Sequence, residues 1–334
     1  MRRLKVGVIG LGVGSQHLAG FEADARCEVV AVCDLDPQRL KEATRDKPEL
    51  AATTEAEELI GRSELDIVSI ASYDDAHFAQ ASAALENGKN VFVEKPLCRT
   101  ADEVRALAHA LEERPHLVLA SNLVLRAAPL YRFTREQVAT GAFGNVYAFD
   151  GDYLYGRLHK ITEGWRGQVE NYSVMLGGGV HLVDLMLWIT QERPTRVAAV
   201  GNRISTSDTP FRYDDFVAAG FEFPSGLVGR ITANFASVHA HQHVVRVFGT
   251  NATLLYDDCG ARVHRSRDPD EATERLELAA LPASKAELIP EFVERVVGGG
   301  ADKGQTRHEL DVVSACIAAD RALAEGGAVD IEYA

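Results

Sequence analysis

The chain has few cysteines and no long hydrophobic run. Its five cysteines are odd in number, scattered, and form no C-x-x-C pair, which argues against a disulfide framework or a zinc knuckle. Its start, Met1-Arg2-Arg3 and an apolar run, imitates a secretory signal, but glycines from Gly7 onward interrupt the run, so we expect a first strand there. No apolar stretch is long enough to cross a bilayer. These absences predict a reducing compartment and a cytoplasmic location.

The chain is also poor in positive charge. It carries 35 lysines and arginines against 49 aspartates and glutamates, a net charge of −14. Because nucleic-acid binding needs a concentration of cationic side chains, this balance argues against a nucleic-acid partner, and an anionic ligand would need a local cationic pocket. The sequence has no internal repeat or low-complexity tract. Its 334 residues exceed one ordinary core, and we predict two domains, 1–121 and 122–334.

The first third alternates short β-branched runs with helical patterns. Such alternation is typical of βαβ units in a parallel sheet, which binds ligands at the carboxyl ends of its strands. We therefore predict an α/β fold that begins with a Rossmann domain, a doubly wound parallel sheet. The predicted strands are Leu4–Ile9, Val29–Cys33, Ile67–Ala71, Asn90–Val93 and Leu117–Ala120, and the predicted helices include Ala76–Leu85 and Ala101–Leu111.

The pattern changes after about Asn122. Strand-like runs now follow one another with few helices between them, which predicts an antiparallel sheet, and Pro224-Ser225-Gly226 is a hairpin turn signal. The predicted strands are Val146–Tyr155, Arg196–Ile204, Phe216–Phe223, Leu227–Phe235 and His243–Phe248. The predicted helices are Pro129–Thr140, one opening near Gly179, Ser284–Val297 and Thr306–Ala324. The second domain is thus predicted to be α+β.

A glycine-rich turn lies where the first strand meets a helix. In Gly10-Leu11-Gly12-Val13-Gly14-Ser15, the first two glycines fit the tight turn and close backbone approach of a dinucleotide site, and Ser15 stands where the third motif glycine is expected. Asp34 ends the second strand, where a carboxylate holds the adenosine ribose. A carboxylate there repels a 2′-phosphate, so NAD is favoured over NADP, with Arg39 as a contrary sign. The alternative for Asp34 is a solvated loop aspartate.

Several segments together resemble the glucose–fructose oxidoreductase / inositol dehydrogenase (Gfo/Idh/MocA) family. They are Glu94-Lys95-Pro96-Leu97, the preceding 84–91, Ala31–Asp34, Gly141–Val146 and Gly179-Val180-His181-Leu182-Val183-Asp184, which is similar to the family's G-x-H-x-x-D signature. The resemblance implies a Rossmann domain followed by an open, mostly antiparallel sheet. It also implies a nicotinamide cofactor and the oxidation or reduction of a carbon of a sugar, cyclitol or nucleotide sugar.

The resemblance implies that Lys95 and His181 are the catalytic residues. Hydride transfer from an alcohol needs a partner for the hydroxyl proton, and a partly desolvated lysine at a strand end can take part in its removal. A helix start would favour a neutral, proton-accepting His181. Asp184 could orient the ring or the substrate, or pair with a neighbour, and Lys95 could form an ordinary salt bridge with Glu94. The family's aspartate four residues before the histidine is here Gly177.

A polar loop before His181 is the predicted substrate site. Alternation places Tyr153 and Tyr155 on one sheet face. Arg157, His159, Lys160 and Arg166 form the densest cationic cluster, which would bind an anionic handle or be a solvated loop. The predicted substrate-binding residues are Lys95, Asn122, Arg126, Tyr153, Tyr155, Arg157, Trp165, Arg166, His181 and Asp184.

Two further segments complete the predicted sites. In Ser72–His77, similar to a family stretch that lines the nicotinamide half of the cofactor, His77 is the firmest match. His239, His241 and His243 would lie on one side of a strand, and without a completing Cys, Asp or Glu we predict no metal site but a place at a cleft rim or subunit interface. The predicted cofactor-binding residues are Gly10, Gly12, Val13, Gly14, Ser15, Asp34, Leu35, Arg39, Ser72, Tyr73, His77, Glu94 and Lys95.

The sequence therefore predicts an NAD-dependent dehydrogenase that oxidises a hydroxyl of a sugar-like substrate or reduces the corresponding ketone. The predicted partners are that small molecule and further copies of the chain, as a homodimer or homotetramer, with no nucleic acid and no membrane. The alternative is a nicotinamide-binding sensor or regulatory subunit without turnover. The presence of both Lys95 and His181 favours the enzyme, because a binding module needs only the glycine turn and Asp34.

Overall fold

The computed structural model describes residues 2–300 and 303–334 and divides into two compact units. The first unit contains the described residues of 1–124 and 282–310 with Ala334, and the second contains 125–281 and 311–333. The first division lies close to the predicted boundary at 121/122. Residues 282–310, which the sequence analysis gave to the second domain, group with the first unit.

The first unit is built on a parallel sheet. The sheet has six strands among the described residues, in the order β3-β2-β1-β4-β5-β6, which confirms the predicted Rossmann topology. Its strands are β1 Leu4–Ile9, β2 Cys27–Cys33, β3 Ala51–Thr53, β4 Ile67–Ile70, β5 Asn90–Val93 and β6 Leu119–Ser121. Its first helices are α1 Gly14–Ala23, α2 Pro37–Thr44, α3 Ala56–Ile60, α4 His77–Glu86 and α5 Ala101–Glu113.

Local sequence explains where these elements begin. The central strand β4 is buried at all four positions, as expected for a parallel sheet covered by helices on both faces. Asp36 caps α2 by accepting a hydrogen bond from the backbone of Gln38, and Thr100 and Glu103 form a reciprocal capping box at the start of α5. A late helix, α9 (Ile289–Val297), also belongs to this unit, and its Phe292 packs against Phe21 and Phe92.

The second unit is built on a mostly antiparallel sheet, as predicted. Among the residues described, the sheet has nine strands in the order β14-β13-β12-β11-β7-β10-β9-β8-β15, and its β7–β10 pair is parallel. The strands are β7 Val146–Leu154, β8 Arg196–Asn202, β9 Phe216–Glu222, β10 Val228–Asn234, β11 Gln242–Gly249, β12 Thr253–Asp257, β13 Gly260–His264, β14 Glu274–Leu276 and β15 Val329–Asp330. The remaining helices are α6 Pro129–Ala139, α7 His159–Thr162, α8 Val180–Thr190 and α10 Lys303–Glu325.

The burial pattern of this sheet distinguishes its two faces. Along β7 the buried positions are Phe149, Gly151 and Tyr153, in strict alternation with half-buried ones. Helix α8 packs on the buried face: its Leu182 would lie 3.2 Å from a Cβ placed on Gly151. On the opposite face Val200 is 70% exposed and Val228 is 53% exposed.

Candidate functional site

The glycine turn of the first unit has the features of a dinucleotide site. Gly10 has a φ of +83°, and a Cβ there would lie 2.3 Å from the carbonyl oxygen of Ala71, so no other residue fits. A Cβ placed on Gly14 would lie only 3.1 Å from the Cβ of Ala71, so the absence of a side chain at Gly14 lets α1 lie close to the sheet. Ser15 replaces the third motif glycine without strain, because its hydroxyl donates to the Gly12 carbonyl at 2.9 Å. The turn is therefore formed as predicted.

The N-terminus of α1 fits an anionic pyrophosphate. Among the described residues, no side chain caps this end of the helix, and its first turn contains no acidic residue. Val13, which precedes the helix, is 45% exposed. The first backbone N–H groups of a helix lack partners within it and carry a partial positive charge. They can therefore bind the phosphates of a dinucleotide.

Asp34 is fixed at the edge of this turn and is not a solvated loop residue. It is 7% exposed, its Oδ2 accepts a hydrogen bond from the backbone N–H of Leu11 at 2.6 Å, and its Oδ1 accepts one from the N–H of Asp36 at 2.8 Å. The Nη1 of Arg39 lies 3.5 Å from Oδ2, and Leu35 is 77% exposed. The carboxylate and the guanidinium thus lie side by side at this edge of the glycine turn.

The segment after β4 is tied to the segment after β5 by His77. Its buried ring places Nδ1 2.7 Å from the Pro96 carbonyl oxygen and Nε2 3.2 Å from that of Ser72. Ser72 itself donates from its hydroxyl to Gln80 at 2.7 Å, and Tyr73 is 50% exposed. His77 therefore holds two strand ends together, beside the predicted catalytic Lys95.

A buried polar network lies next to Lys95, and the sequence analysis missed its central residue, His17. The His17 ring is fully buried, with Nδ1 3.0 Å from the Ser69 hydroxyl and Nε2 3.2 Å from Glu94 Oε1. Asn122 donates from Nδ2 to the same Glu94 oxygen at 2.7 Å and to the Lys285 carbonyl at 2.8 Å. The apolar periodicity of α1 gives no signal for such a histidine, since its partners come from β4 and from the residues directly after β5 and β6.

This network sets the charge of Glu94. Burial alone would raise the pKa of the carboxyl, but the hydrogen bond and charge of His17, with smaller contributions from Lys95 and Asn122, lower it to about 2. Glu94 is therefore ionised at neutral pH. Its carboxylate is bound by His17 and Asn122, and the charge of Lys95 acts on it as well. Asn122 Oδ1 is buried with no hydrogen-bond partner in the described part of the chain and can accept one.

The second unit brings several of the predicted substrate residues together. The rings of Tyr153 and Tyr155 stack with centroids 5.7 Å apart, which confirms that both lie on one sheet face. Tyr153 also stacks on His181 at 6.4 Å. Arg157 lies over the ring of Tyr155, at 5.5 Å. Arg166 lies over Trp165 at 4.5 Å, so the structure gives these two guanidinium groups aromatic neighbours.

The helix predicted to open near Gly179 is observed as α8, but its first residues continue a preceding helical turn, so His181 does not lie at a free helix N-terminus. A π-helical turn, Met175–Gly179, runs directly into α8, and Gly179 already has helical angles of −53° and −28°. The dipole acts mainly on the first turn of a helix, and His181 lies beyond that turn. The ring is 6% exposed and packs edge-on against His243 at 5.8 Å.

Arg126 and Asp184 form a buried ion pair. The guanidinium Nε lies 3.0 Å from both carboxylate oxygens, and Nη2 lies 2.6 Å from Oδ1. The two side chains are 5% and 1% exposed. Of the alternatives for Asp184, the structure therefore supports pairing with a neighbour. This arrangement also gives Arg126, predicted to bind substrate, a partner within the protein.

The three-histidine segment differs from its prediction. His239 and His241 precede β11, and His239 turns away to Asp258, with its Nε2 3.1 Å from Oδ1. His241 and His243 share an aromatic cluster with Tyr153, each ring 5.3 Å from it. A single strand face for all three imidazoles was thus wrong, because the chain becomes regular only at Gln242. Within residues 2–300 and 303–334, no group of three or more His, Cys, Asp or Glu side chains could hold a metal ion.

The five cysteines are free, four of them buried and Cys259 exposed. In the described part of the chain, no helix is both long enough and apolar enough to span a membrane.

Several curated proteins that are similar to this chain are named as dehydrogenases or reductases of sugars and cyclitols. An inositol 2-dehydrogenase of Rubrobacter xylanophilus is 26% identical over 96% of this chain and 91% of that protein. A D-apiose dehydrogenase of Paraburkholderia graminis is 23% identical over 99% of this chain and 91% of its own length. A 1,5-anhydro-D-fructose reductase of Ensifer adhaerens is 29% identical over 61% of this chain, and the match spans 60% of that reductase.

Solved structures share the fold. Levoglucosan dehydrogenase in complex with NADH and levoglucosan has a TM-score of 0.86 at 22% identity, covering 99% of this chain and 100% of that one. Myo-inositol 2-dehydrogenase from Lactobacillus plantarum has a TM-score of 0.82 at 19% identity, with the same coverage. Residues 4–121 match the family model for an oxidoreductase family with an NAD-binding Rossmann fold, and residues 131–255 match the GFO/IDH/MocA C-terminal domain. The chain therefore belongs to the Gfo/Idh/MocA family of oxidoreductases.

Proposed function

We propose that the chain is an NAD-dependent dehydrogenase that oxidises a hydroxyl of a sugar, sugar derivative, nucleotide sugar or cyclitol, or reduces the corresponding ketone. The observation that carries the proposal is the dinucleotide cradle: a tight turn that only Gly10 fits, an uncapped helix N-terminus and a fixed Asp34. The names of the relatives, among them inositol, apiose and levoglucosan dehydrogenases, support a polyhydroxylated substrate.

Asp34 supports NAD as the preferred cofactor. Its buried carboxylate, already held by two backbone N–H groups, keeps a negative charge where a 2′-phosphate would need a positive one. Arg39 is the opposing feature, since its half-exposed guanidinium, 3.5 Å from the Asp34 carboxylate, would also attract a phosphate. We expect the carboxylate to dominate because it is fixed, whereas the exposed arginine must be ordered by the ligand.

Lys95 and His181 are the residues proposed to act on the substrate alcohol. A bound nicotinamide exchanges a hydride with the carbon and leaves the hydroxyl proton to the protein. In this proposal the Lys95 ammonium donates a hydrogen bond to the substrate oxygen, and the His181 imidazole accepts the proton. Glu94 and Asn122 fix the chain next to Lys95, because both are held in the buried His17 network.

The test is an absorbance screen at the reduced-nicotinamide band. The purified chain is mixed with NAD or NADP and with panels of inositols, sugars, sugar phosphates and nucleotide sugars. We expect reduction of NAD by at least one polyol and a loss of at least about 100-fold in turnover for Lys95→Met, in line with the usual contribution of proton transfer. Tight NAD binding in a calorimeter without turnover of any compound would favour the sensor instead, and full turnover by Lys95→Met would refute the assigned role.

We further propose that the chain forms a homodimer or homotetramer through the open face of the nine-stranded sheet. Exposed apolar side chains on this face, Val200 and Val228, support an interface. Light scattering after gel filtration measures the mass, and a Val200→Glu variant is expected to lower it. The cytoplasmic location stays a prediction.

A further inference from the structure

Three consecutive glycines precede His181, and each is packed against a side chain. A Cβ on Gly177 would lie 2.2 Å from the Tyr172 hydroxyl oxygen, one on Gly178 would lie 2.3 Å from the Tyr153 ring, and one on Gly179 would lie 2.4 Å from the Met175 sulfur. None of the three has a positive φ. Backbone conformation therefore does not require glycine here; the space taken by the neighbouring side chains does.

The Tyr172 hydroxyl occupies the place of a side chain at position 177. Residues four apart in a helical segment lie on the same face, one above the other. Gly177 and His181 are four apart, in a π-helical turn that continues into α8. A group that fills the Cβ position of Gly177 therefore lies on the His181 side of this segment, so the phenol of Tyr172 is brought to that side from outside the helix.

The position of Tyr172 is fixed by its ring. The side chain is 6% exposed, and its ring packs edge-on against Phe211 at 6.0 Å and Phe235 at 6.2 Å. Phe235 in turn contacts Tyr153 at 5.6 Å, and Tyr153 stacks on His181. Two phenols and the imidazole thus belong to one packed aromatic cluster. A hydroxyl held by such packing loses little rotamer freedom when it binds a ligand.

We propose that Tyr172 is a substrate-binding residue, whose hydroxyl forms a hydrogen bond with a substrate hydroxyl next to the reacting one, and that Gly177 is glycine in order to admit it. This inference rests on the proposed function. A phenol is neutral at physiological pH and can both donate and accept, which suits a polyol. A carboxylate at the same place would only accept, and its charge would raise the pKa of His181.

The first experiment is Tyr172→Phe, which removes one oxygen and keeps the ring packing. We expect KM for the best sugar or cyclitol to rise roughly ten-fold, as for the loss of one buried hydrogen bond. The melting temperature and the affinity for NAD, measured by calorimetry, should stay unchanged. Tyr147→Phe is the matched control, since Tyr147 lies in β7 of the same unit and is 53% exposed, and it should leave all three values unchanged.

A second variant moves the polar group onto the helix. Tyr172→Ala combined with Gly177→Asp opens the space and places a carboxylate in it. Compared with Tyr172→Ala alone, the double variant should regain substrate affinity and move the acid limb of the pH profile of kcat/KM to higher pH. Gly177→Asp alone should be the worst of the set, because Tyr172 blocks the new side chain.

The outcomes separate this inference from the proposed function. If the unmodified chain oxidises no polyol with NAD, the proposed function fails first. If it does, and Tyr172→Phe matches the unmodified chain in KM and pH profile, then Tyr172 only packs and the inference is wrong. A much lower melting temperature of Tyr172→Phe would also overturn the inference if the acid limb of the pH profile is the same in Tyr172→Ala and in the double variant Tyr172→Ala/Gly177→Asp.

Discussion

Removing one partner of the buried Arg126–Asp184 pair is expected to destabilise the protein strongly. The guanidinium and carboxylate make three contacts of 2.6–3.0 Å, and both side chains are at most 5% exposed. Without its partner, the remaining charge stays buried and loses its closest counter-charge, which costs about 3–5 kcal/mol. That loss is a large fraction of the roughly 5–15 kcal/mol by which proteins are stable. Arg126→Met and Asp184→Leu should each show it.

The assay is urea unfolding of the two single variants and of the double variant. Apolar residues of similar volume are often neutral in place of a complete buried pair, so the double variant should lose far less than the sum of the singles. Arg105→Met is the matched control, because Arg105 pairs with Asp102 on the surface, with side chains 56% and 89% exposed. That variant should change stability by less than about 1 kcal/mol.

One result would refute this reasoning. If Arg126→Met unfolds at the same urea concentration as the unmodified chain but raises KM for the sugar strongly, the arginine binds substrate, as the sequence analysis predicted. Equal losses of unfolding free energy in all three variants would also contradict it, since they would mean that packing around the pair, and not its charge, determines stability.

The other predictions concern the cofactor and pH. Asp34→Asn should weaken NAD binding and narrow the preference over NADP, measured as the ratio of kcat/KM values; a wider preference would contradict the assigned role. Because the pKa of Glu94 is lowered to about 2, its contribution, on the order of 3 kcal/mol, is present above pH 4.5 and is lost as pH falls toward 2. Glu94→Gln should flatten this part of the curve of stability against pH. Burial and the charge of Asp214, against a hydrogen bond from Ser173, raise the pKa of Asp320 to about 7, so stability should fall as pH rises from 4 to 7. Asp320→Asn should abolish that fall, and an unchanged curve would contradict it.

Sequence patterns predicted the elements of the first unit well where local signals are strong. The strands Leu4–Ile9 and Asn90–Val93 were predicted at their exact bounds, because β-branched runs end at glycine or a charged residue there. The short strands β3, β12, β13 and β14 were not predicted, since three to five residues carry too little periodicity. The predicted helix Ser284–Val297 begins only at Ile289.

Pairing between distant segments could not be predicted in the same way. The parallel β7–β10 pair joins residues about 80 positions apart, and strand order depends on long-range packing that local propensity does not encode. His17 and Arg126 find their partners in elements far along the chain, and the Tyr172 hydroxyl packs into the space left by a glycine of the turn before α8. A histidine in α1 or a tyrosine before three glycines carries no local sign of its neighbour.

By itself the sequence determined the two-part organisation, the Rossmann topology and the dinucleotide turn, because glycine spacing, β-branched runs and a strand-end carboxylate act over short distances. The tertiary structure alone decided which charges are satisfied inside the protein. Folding paired Arg126 with Asp184, lowered the pKa of Glu94 through the hydrogen bond and charge of His17 against the effect of burial, and brought the Tyr172 hydroxyl to the space at Gly177. These effects follow from desolvation and close packing, which exist only once distant segments have met.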